Sequence, residues 1–142
     1  MILEYYMVHE HANPPYRANP SDAGLDICYS PEKTGEVTSG PGEILPYRFE
    51  DMTIKPGESA IIPTGLKFGV PHGYMLEVKN RSGMAAKRSL IVGACVVDSG
   101  YDGEVFVNLH NVGKKAQVIT NGERVAQVVL VPVVHFRALQ TS

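Results

Sequence analysis

The chain has 142 residues, which suits one domain with a usable core. Its 13 Lys and Arg stand against 15 Asp and Glu, a net charge of -2 with the histidines neutral. The charges are mixed with no long basic run, which argues against a nucleic-acid polymer as partner but leaves room for a small phosphorylated ligand. No stretch is long enough to span a membrane, and residues 1–7 carry Glu4 and lack a long apolar core, unlike a signal peptide. Cys28 and Cys95 lie far apart with no C-x-x-C spacing, so both are expected as reduced thiols in a cytoplasmic, intracellular setting.

Helical periodicity is nearly absent, while 14 Gly and 10 Pro punctuate runs rich in Val and Ile. That pattern predicts short strands in a β-sandwich or barrel. From the N-terminus, Gly24 in Ala23-Gly24-Leu25-Asp26 suggests a turn. Residues 30–49, rich in Pro, Gly, Ser, Thr and Glu, predict a long surface excursion built as a flexible hairpin. Lys55-Pro56-Gly57-Glu58 predicts a turn. Leu66, Phe68 and Val70 alternate with Lys67 and Gly69, and beyond a break at Pro71-His72-Gly73, Tyr74, Leu76 and Val78 alternate with Met75 and Glu77. Each set fits a strand with one buried face. Residues 82–90 contain good helix formers and predict about two helical turns, with Ser82 as N-cap. An apolar stretch follows and ends at Asp98. Ser99-Gly100 and Asp102-Gly103 then suggest a hairpin or bulge with glycines at positive φ. Val105, Val107 and Leu109 alternate with Phe106, Asn108 and His110. Asn121-Gly122 predicts a turn into the dense apolar run 124–134, read as a strand covered on both faces and a candidate subunit contact.

Three groups of residues suggest chemistry. Arg81-Ser82-Gly83 would open the helix, where unpaired amides and partial positive charge favour an anion, Gly83 permits close approach, and Arg81 adds a forked charge. Asp98, at a strand end, is placed to orient and deprotonate a water, and Tyr101 to present a flat face to a sugar or base. Gln127 carries an amide suited to a phosphate oxygen. Taken singly, each also fits a bland role: a helix cap, a turn carboxylate, a surface amide. The five histidines show no convincing ligand spacing, and neither a P-loop, a dinucleotide fingerprint nor a serine elbow is present.

Read in order, the pieces resemble the trimeric dUTPase family. Of that family's five ordered motifs, four are matched here: Ala23-Gly24-Leu25-Asp26-Ile27; Asn80-Arg81-Ser82-Gly83-Met84-Ala85-Ala86-Lys87; Gly93-Ala94-Cys95-Val96-Val97-Asp98-Ser99-Gly100-Tyr101-Asp102-Gly103-Glu104; and Gly122-Glu123-Arg124-Val125-Ala126-Gln127. The resemblance implies an all-β, distorted jelly-roll or β-barrel subunit with one short helix, forming a homotrimer whose active sites are shared between chains. It implies hydrolysis of dUTP to dUMP and pyrophosphate. Asp98 would activate the water that attacks the α-phosphorus and hold the sugar 3′-hydroxyl, and Tyr101 would pack on the deoxyribose. Main-chain groups around Ala94, Val96 and Val97 would read uracil. Arg81, Ser82, Gly83 and Gln127 would hold phosphates. Magnesium (Mg2+) would bridge the triphosphate, with Asp26 approaching it through water.

The family's glycine-rich C-terminal arm, with its Arg and Phe, has no match: no glycine follows Gly122, and Phe136 and Arg137 lie too near the last strand to stand in for it. The excursion 30–49 is the alternative lid. Two rival readings remain. A dCTP deaminase of the same ancestry would need a glutamate three residues before Asn111, where this chain has Asn108. A nucleotide-sensing module would bind dUTP and turn it over poorly.

Overall fold

The computed structural model describes residues 1–32, 36–38, 44–46 and 51–142. In chain order the elements are β1 (Glu4–Met7), β2 (Leu25–Cys28), β3 (Glu36–Thr38), β4 (Ile44–Pro46), β5 (Met52–Ile54), β6 (Ser59–Pro63), β7 (Leu66–Gly69), β8 (Tyr74–Lys79), α1 (Ser82–Arg88), β9 (Leu90–Val92), β10 (Val96–Val97), β11 (Phe106–Asn111), β12 (Gln117–Ile119) and β13 (Arg124–Pro132). Among the described residues every strand pairing is antiparallel. A four-stranded sheet runs β10-β8-β13-β2, a three-stranded sheet runs β6-β11-β9, and β1-β7, β12-β5 and β3-β4 form pairs. This is the expected all-β, jelly-roll-like architecture with one short helix. No helix among the described residues is long and apolar enough to cross a membrane.

The alternation seen in the sequence sorts side chains as expected. Leu66, Phe68, Leu76, Val78, Val105, Val107 and Leu109 are buried in a single apolar cluster, whereas Lys67, Glu77, Phe106, Asn108 and His110 reach solvent in part or whole. Each fully buried aliphatic side chain of this kind stabilises the fold by roughly 1.5–3 kcal/mol. The run 124–134 becomes β13, hydrogen-bonded to β8 on one edge and β2 on the other, with Val125, Ala126 and Val128 buried. The predicted turns close where expected: Glu58 N–H donates to the Lys55 carbonyl at 3.0 Å and Glu123 N–H to the Thr120 carbonyl at 3.0 Å, with Gly57 at φ 81° and Gly122 at φ 84°.

Three expectations change. Residues 99–103 form no hairpin, since β10 pairs with β8 while β11 pairs with β6 and β9, and Gly100 and Gly103 are not at positive φ. The reason lies at Val105: its carbonyl accepts the buried Thr64 hydroxyl at 2.6 Å and its N–H donates to Leu66 at 2.8 Å, which draws β11 away from β10. Gly24 makes no positive-φ turn; a Cβ there would sit 2.7 Å from Gln127 Oε1 and 2.8 Å from the Val128 carbonyl, so close approach of β13 is what requires glycine. The excursion 30–49 does not begin at the surface, because Ser30 is fully buried, donating its N–H to the Pro63 carbonyl at 2.9 Å and accepting the Asn13 side-chain amide at 2.9 Å. Most of that segment lies outside the described residues; within it β3 and β4 pair antiparallel.

Asn111, at 1% exposure, ties three segments together. Its Nδ2 donates to the carbonyls of Ile54 at 2.9 Å and Lys115 at 2.8 Å, and its Oδ1 accepts Gly113 N–H at 2.9 Å. Replacing it leaves buried polar groups unpaired. Asn111→Ala is expected to cost about 2–4 kcal/mol, and Asn111→Asp at least as much, since a carboxylate would face two carbonyls. Thermal and urea melts check both.

Candidate active site

The strand end at Asp98 borders a cavity of about 220 Å3 lined by Val78, Ala94, Cys95, Val96, Val97, Asp98, Tyr101, Glu104, Val105 and Phe106. Asp98 follows β10, the edge strand of its sheet, and its side chain is exposed. Val78 N–H donates to the Cys95 carbonyl at 2.7 Å, and Val96 lies opposite Glu77. In an antiparallel ladder bonded pairs alternate with unbonded ones. Cys95–Val78 is a bonded pair, so the Val96 N–H and C=O point away from β8, over the open edge. That edge presents a donor and an acceptor side by side, the complement of a base with adjacent N–H and C=O. The Ala94 N–H is taken within the chain, donating to Asn108 Oδ1 at 3.2 Å.

Tyr101 stands on the far side of a turn closed by its N–H to the Asp98 carbonyl at 3.1 Å. Its hydroxyl donates to the Glu104 carbonyl at 2.6 Å and its ring lies against Gly103, where a Cβ would come within 2.8 Å. The ring is therefore held by both ends while 45% of the residue stays exposed beside Asp98.

A second, strongly polar cleft of about 300 Å3 is lined by Ala18, Asn19, Asp22, Asp26, Arg81, Ser82, Gly83 and Gln127. The helix starts here, but Ser82 is its first helical residue and not its N-cap. Arg81 holds that position in extended conformation (φ -91°, ψ 136°), with no side-chain cap bond and no acidic residue in the first turn. The order Arg-Ser-Gly places the helix entry one residue earlier than a capping serine would, which leaves the first-turn amides without a side-chain acceptor. A Cβ on Gly83 would meet no atom within 4 Å, so the space above it is open. The other end of α1 is pinned: Arg88 donates to Gln117 Oε1 at 2.9 Å and the Val118 carbonyl at 2.6 Å, and pairs with the Glu123 carboxylate.

Asp26 lies between two guanidinium groups, 3.3 Å from Arg81 Nε and 3.6 Å from Arg124 Nη1. Arg124 in turn stacks on the Tyr16 ring at 4.4 Å. Gln127 spends one amide hydrogen on the Asn80 carbonyl at 2.9 Å, leaving the other for a ligand. The contacts of Arg124, Asn80 and Tyr16 were not legible in the sequence because they depend on strand register; the bridge Tyr16–Asp26 and the pairing of β13 with both β2 and β8 bring them together. Behind them Cys28 is a free, buried thiol, as Cys95 is a free, partly exposed one, and burial pushes the Cys28 thiol up from its usual range.

Among the described residues no group of three or more His, Cys, Asp or Glu is placed to hold a metal by itself. The polar cleft, with its Asp22 and Asp26 carboxylates, fits a magnesium carried in by phosphates and still partly hydrated. The sequence-predicted residues thus fall into two sets. Asp98, Tyr101, Ala94, Val96 and Val97 share one cavity; Asp26, Arg81, Ser82, Gly83 and Gln127 share the other; no lining residue is common to both.

The chain is 45% identical over 89 residues to a deoxyuridine 5′-triphosphate nucleotidohydrolase of Desulfotalea psychrophila, a match covering 61% of this chain and 59% of that protein. It is 39% identical over 121 residues to that of Aquifex aeolicus (84% and 69% covered) and 35% identical over 130 residues to that of Gloeobacter violaceus (90% and 77% covered). The match therefore spans under two thirds of the Desulfotalea protein's own length and more than two thirds of the other two. Among solved structures, a dUTPase from phage phi11 of S. aureus, described with a structural Mg(II) ion, superposes with a TM-score of 0.80 at 23% identity, covering 99% of this chain and 97% of that one, a likeness of fold. The dUTPase family model matches residues 47–142, more than half of the chain and all the motifs after the first. The chain belongs to the dUTPase family.

Proposed function

We propose that this chain hydrolyses dUTP to dUMP and pyrophosphate, working as a homotrimer. The observation that carries the reading is the Asp98 cavity. One wall offers the Val96 main-chain donor and acceptor to a base, another offers the held ring of Tyr101 to a sugar, and an exposed carboxylate stands at the end of the strand. Uracil pairs with such an edge through N3–H and a flanking carbonyl; with the sugar fixed against Tyr101, cytosine would instead set its N3 lone pair against the Val96 carbonyl.

Phosphoryl transfer chiefly requires positioning and charge neutralisation. Asp98 takes a proton from a water whose oxygen bonds to the α-phosphorus as the bond to the β-phosphate bridging oxygen breaks; pyrophosphate leaves with that electron pair. Arg81, the open amides at Ser82 and Gly83, and the spare Gln127 hydrogen bind the phosphate chain. Asp26 holds Arg81 and Arg124 in place, and would help to hold a hydrated magnesium through water. The magnesium, when bound, neutralises phosphate charge.

The separation of the two clefts supports a site assembled from more than one protomer. A nucleoside seated beside Asp98 extends its phosphates away from that cavity, and a neighbouring chain's polar cleft supplies the cradle.

Three outcomes are expected. Asp98→Asn lowers turnover of dUTP, followed by pyrophosphate release with magnesium, by at least ~100-fold, the scale typical of removing a general base. The same assay separates an enzyme from a sensor, which would bind dUTP without wild-type turnover. Tyr101→Ala raises kcat/KM for UTP relative to dUTP, and an unchanged sugar preference would contradict the role of the ring. Mixing inactive Asp98→Asn with inactive Arg81→Ala and letting subunits exchange restores activity, in about a quarter of the sites if each is built from two chains of a trimer. No recovery would place both halves on one chain.

A further inference from the structure

Asn108 lies on β11, on the side turned away from the core, flanked by Phe106 and His110. It lines neither cleft, yet two of its contacts converge on the segment that leads into β10, and a third ties it to its own strand. Its main-chain carbonyl accepts Gly93 N–H at 2.8 Å. Its side-chain Oδ1 accepts Ala94 N–H at 3.2 Å and lies 3.0 Å from His110 Nε2. Because the Ala94 amide is a donor, the Asn108 atom facing it is the oxygen. The His110 contact then requires a proton on Nε2. One acceptor thus collects two donors, one from the loop and one from the sheet.

The fit is tight. A Cβ on Gly93 would fall 2.4 Å from both Asn108 Oδ1 and His110 Nε2, so any side chain there would have to displace this Asn108–His110 pair. Gly93 and Ala94 are also where the chain changes sheets, leaving β9, which pairs with β11, for β10, which pairs with β8. With only two residues, β10 has little ladder of its own to define its attitude. On one side it is held through the Cys95 carbonyl to Val78, and its approach is held by Asn108.

We infer that Asn108 is a positioning residue for base selection. Clamped by His110, it fixes the Gly93-Ala94 corner and so aims the Val96 peptide groups at the base. The inference rests on the reading of the Asp98 cavity as a uracil site. It predicts that losing the clamp harms recognition more than chemistry, because Asp98 and the phosphate cradle are untouched.

The test measures binding of nonhydrolysable imido analogues of dUTP and dCTP, and in parallel kcat and KM for dUTP, in wild type, Asn108→Ala and Asn108→Asp. Asn108→Ala should weaken dUTP-analogue binding and raise KM about 10-fold, with a smaller change in kcat, and compress the dUTP-over-dCTP preference by a similar factor. Asn108→Asp keeps an acceptor for both donors and should retain most of the preference. Asn108→Ala with unchanged preference and KM overturns the inference, and so does a folded Asn108→Asp that loses the preference as fully as alanine. If alanine does not fold, the aspartate variant alone decides. A wild type without preference for the uracil analogue sinks the reading of the cavity itself, and the clamp with it.

Discussion

Strand β13 is the element on which the site depends, because it is hydrogen-bonded on both edges and fixes the register of everything that binds to it. Pairing with β8 sets Gln127 opposite Lys79, next to the Asn80 carbonyl that takes its amide; pairing with β2 sets Gln127 opposite Asp26. The irregularity between Arg124 and Ala126 lets Arg124 reach Asp26 while Ala126 and Val128 stay in the core. Gly24 is the cost of this closeness: no side chain fits between β2 and the Gln127 amide. A one-residue slip of β13 would exchange its buried and solvent faces and dismantle the polar cleft together with the core.

The helix is anchored to the same frame. At seven residues α1 is too short to be stable alone. Buried Met84 and the Arg88 contacts to β12 and Glu123 hold it, and those contacts run to the turn that launches β13. Arg81, Ser82 and Gly83 at one end of α1 and Gln127 on β13 are thereby parts of one assembly, with Asp26 balancing two guanidinium groups at its centre.

The nucleoside side of the site is built differently. The groups proposed to recognise the base are main-chain atoms of a two-residue edge strand, and the Asp98 carboxylate proposed as the general base is exposed. Edge-strand peptides are open to a ligand because nothing pairs with them, and for the same reason they need support from outside the ladder. Thr64 at Val105, the Tyr101 hydroxyl at Glu104 and Asn108 at Ala94 supply that support from three directions.

Much of this was legible in the chain itself. Period-two alternation around Leu66, Leu76 and Val107 marked the strands because one face of each is buried, and Gly57 and Gly122 marked turns because positive φ favours glycine there. The order of Asp26, Arg81, Asp98 and Gln127 in family-like motifs pointed to the family. Three things depended on folding. Whether Ser99 to Gly103 closes a hairpin was decided by a buried hydroxyl far off in sequence. Which residue caps α1 was decided by the extended entry at Arg81. The partition of the motif residues into two separate clefts, and the parts played by Asn80, Asn108 and Arg124, come from cross-strand register. Local pattern reports which face a residue takes; it carries no information on which strand lies opposite, and that pairing is set by burying all the faces at once.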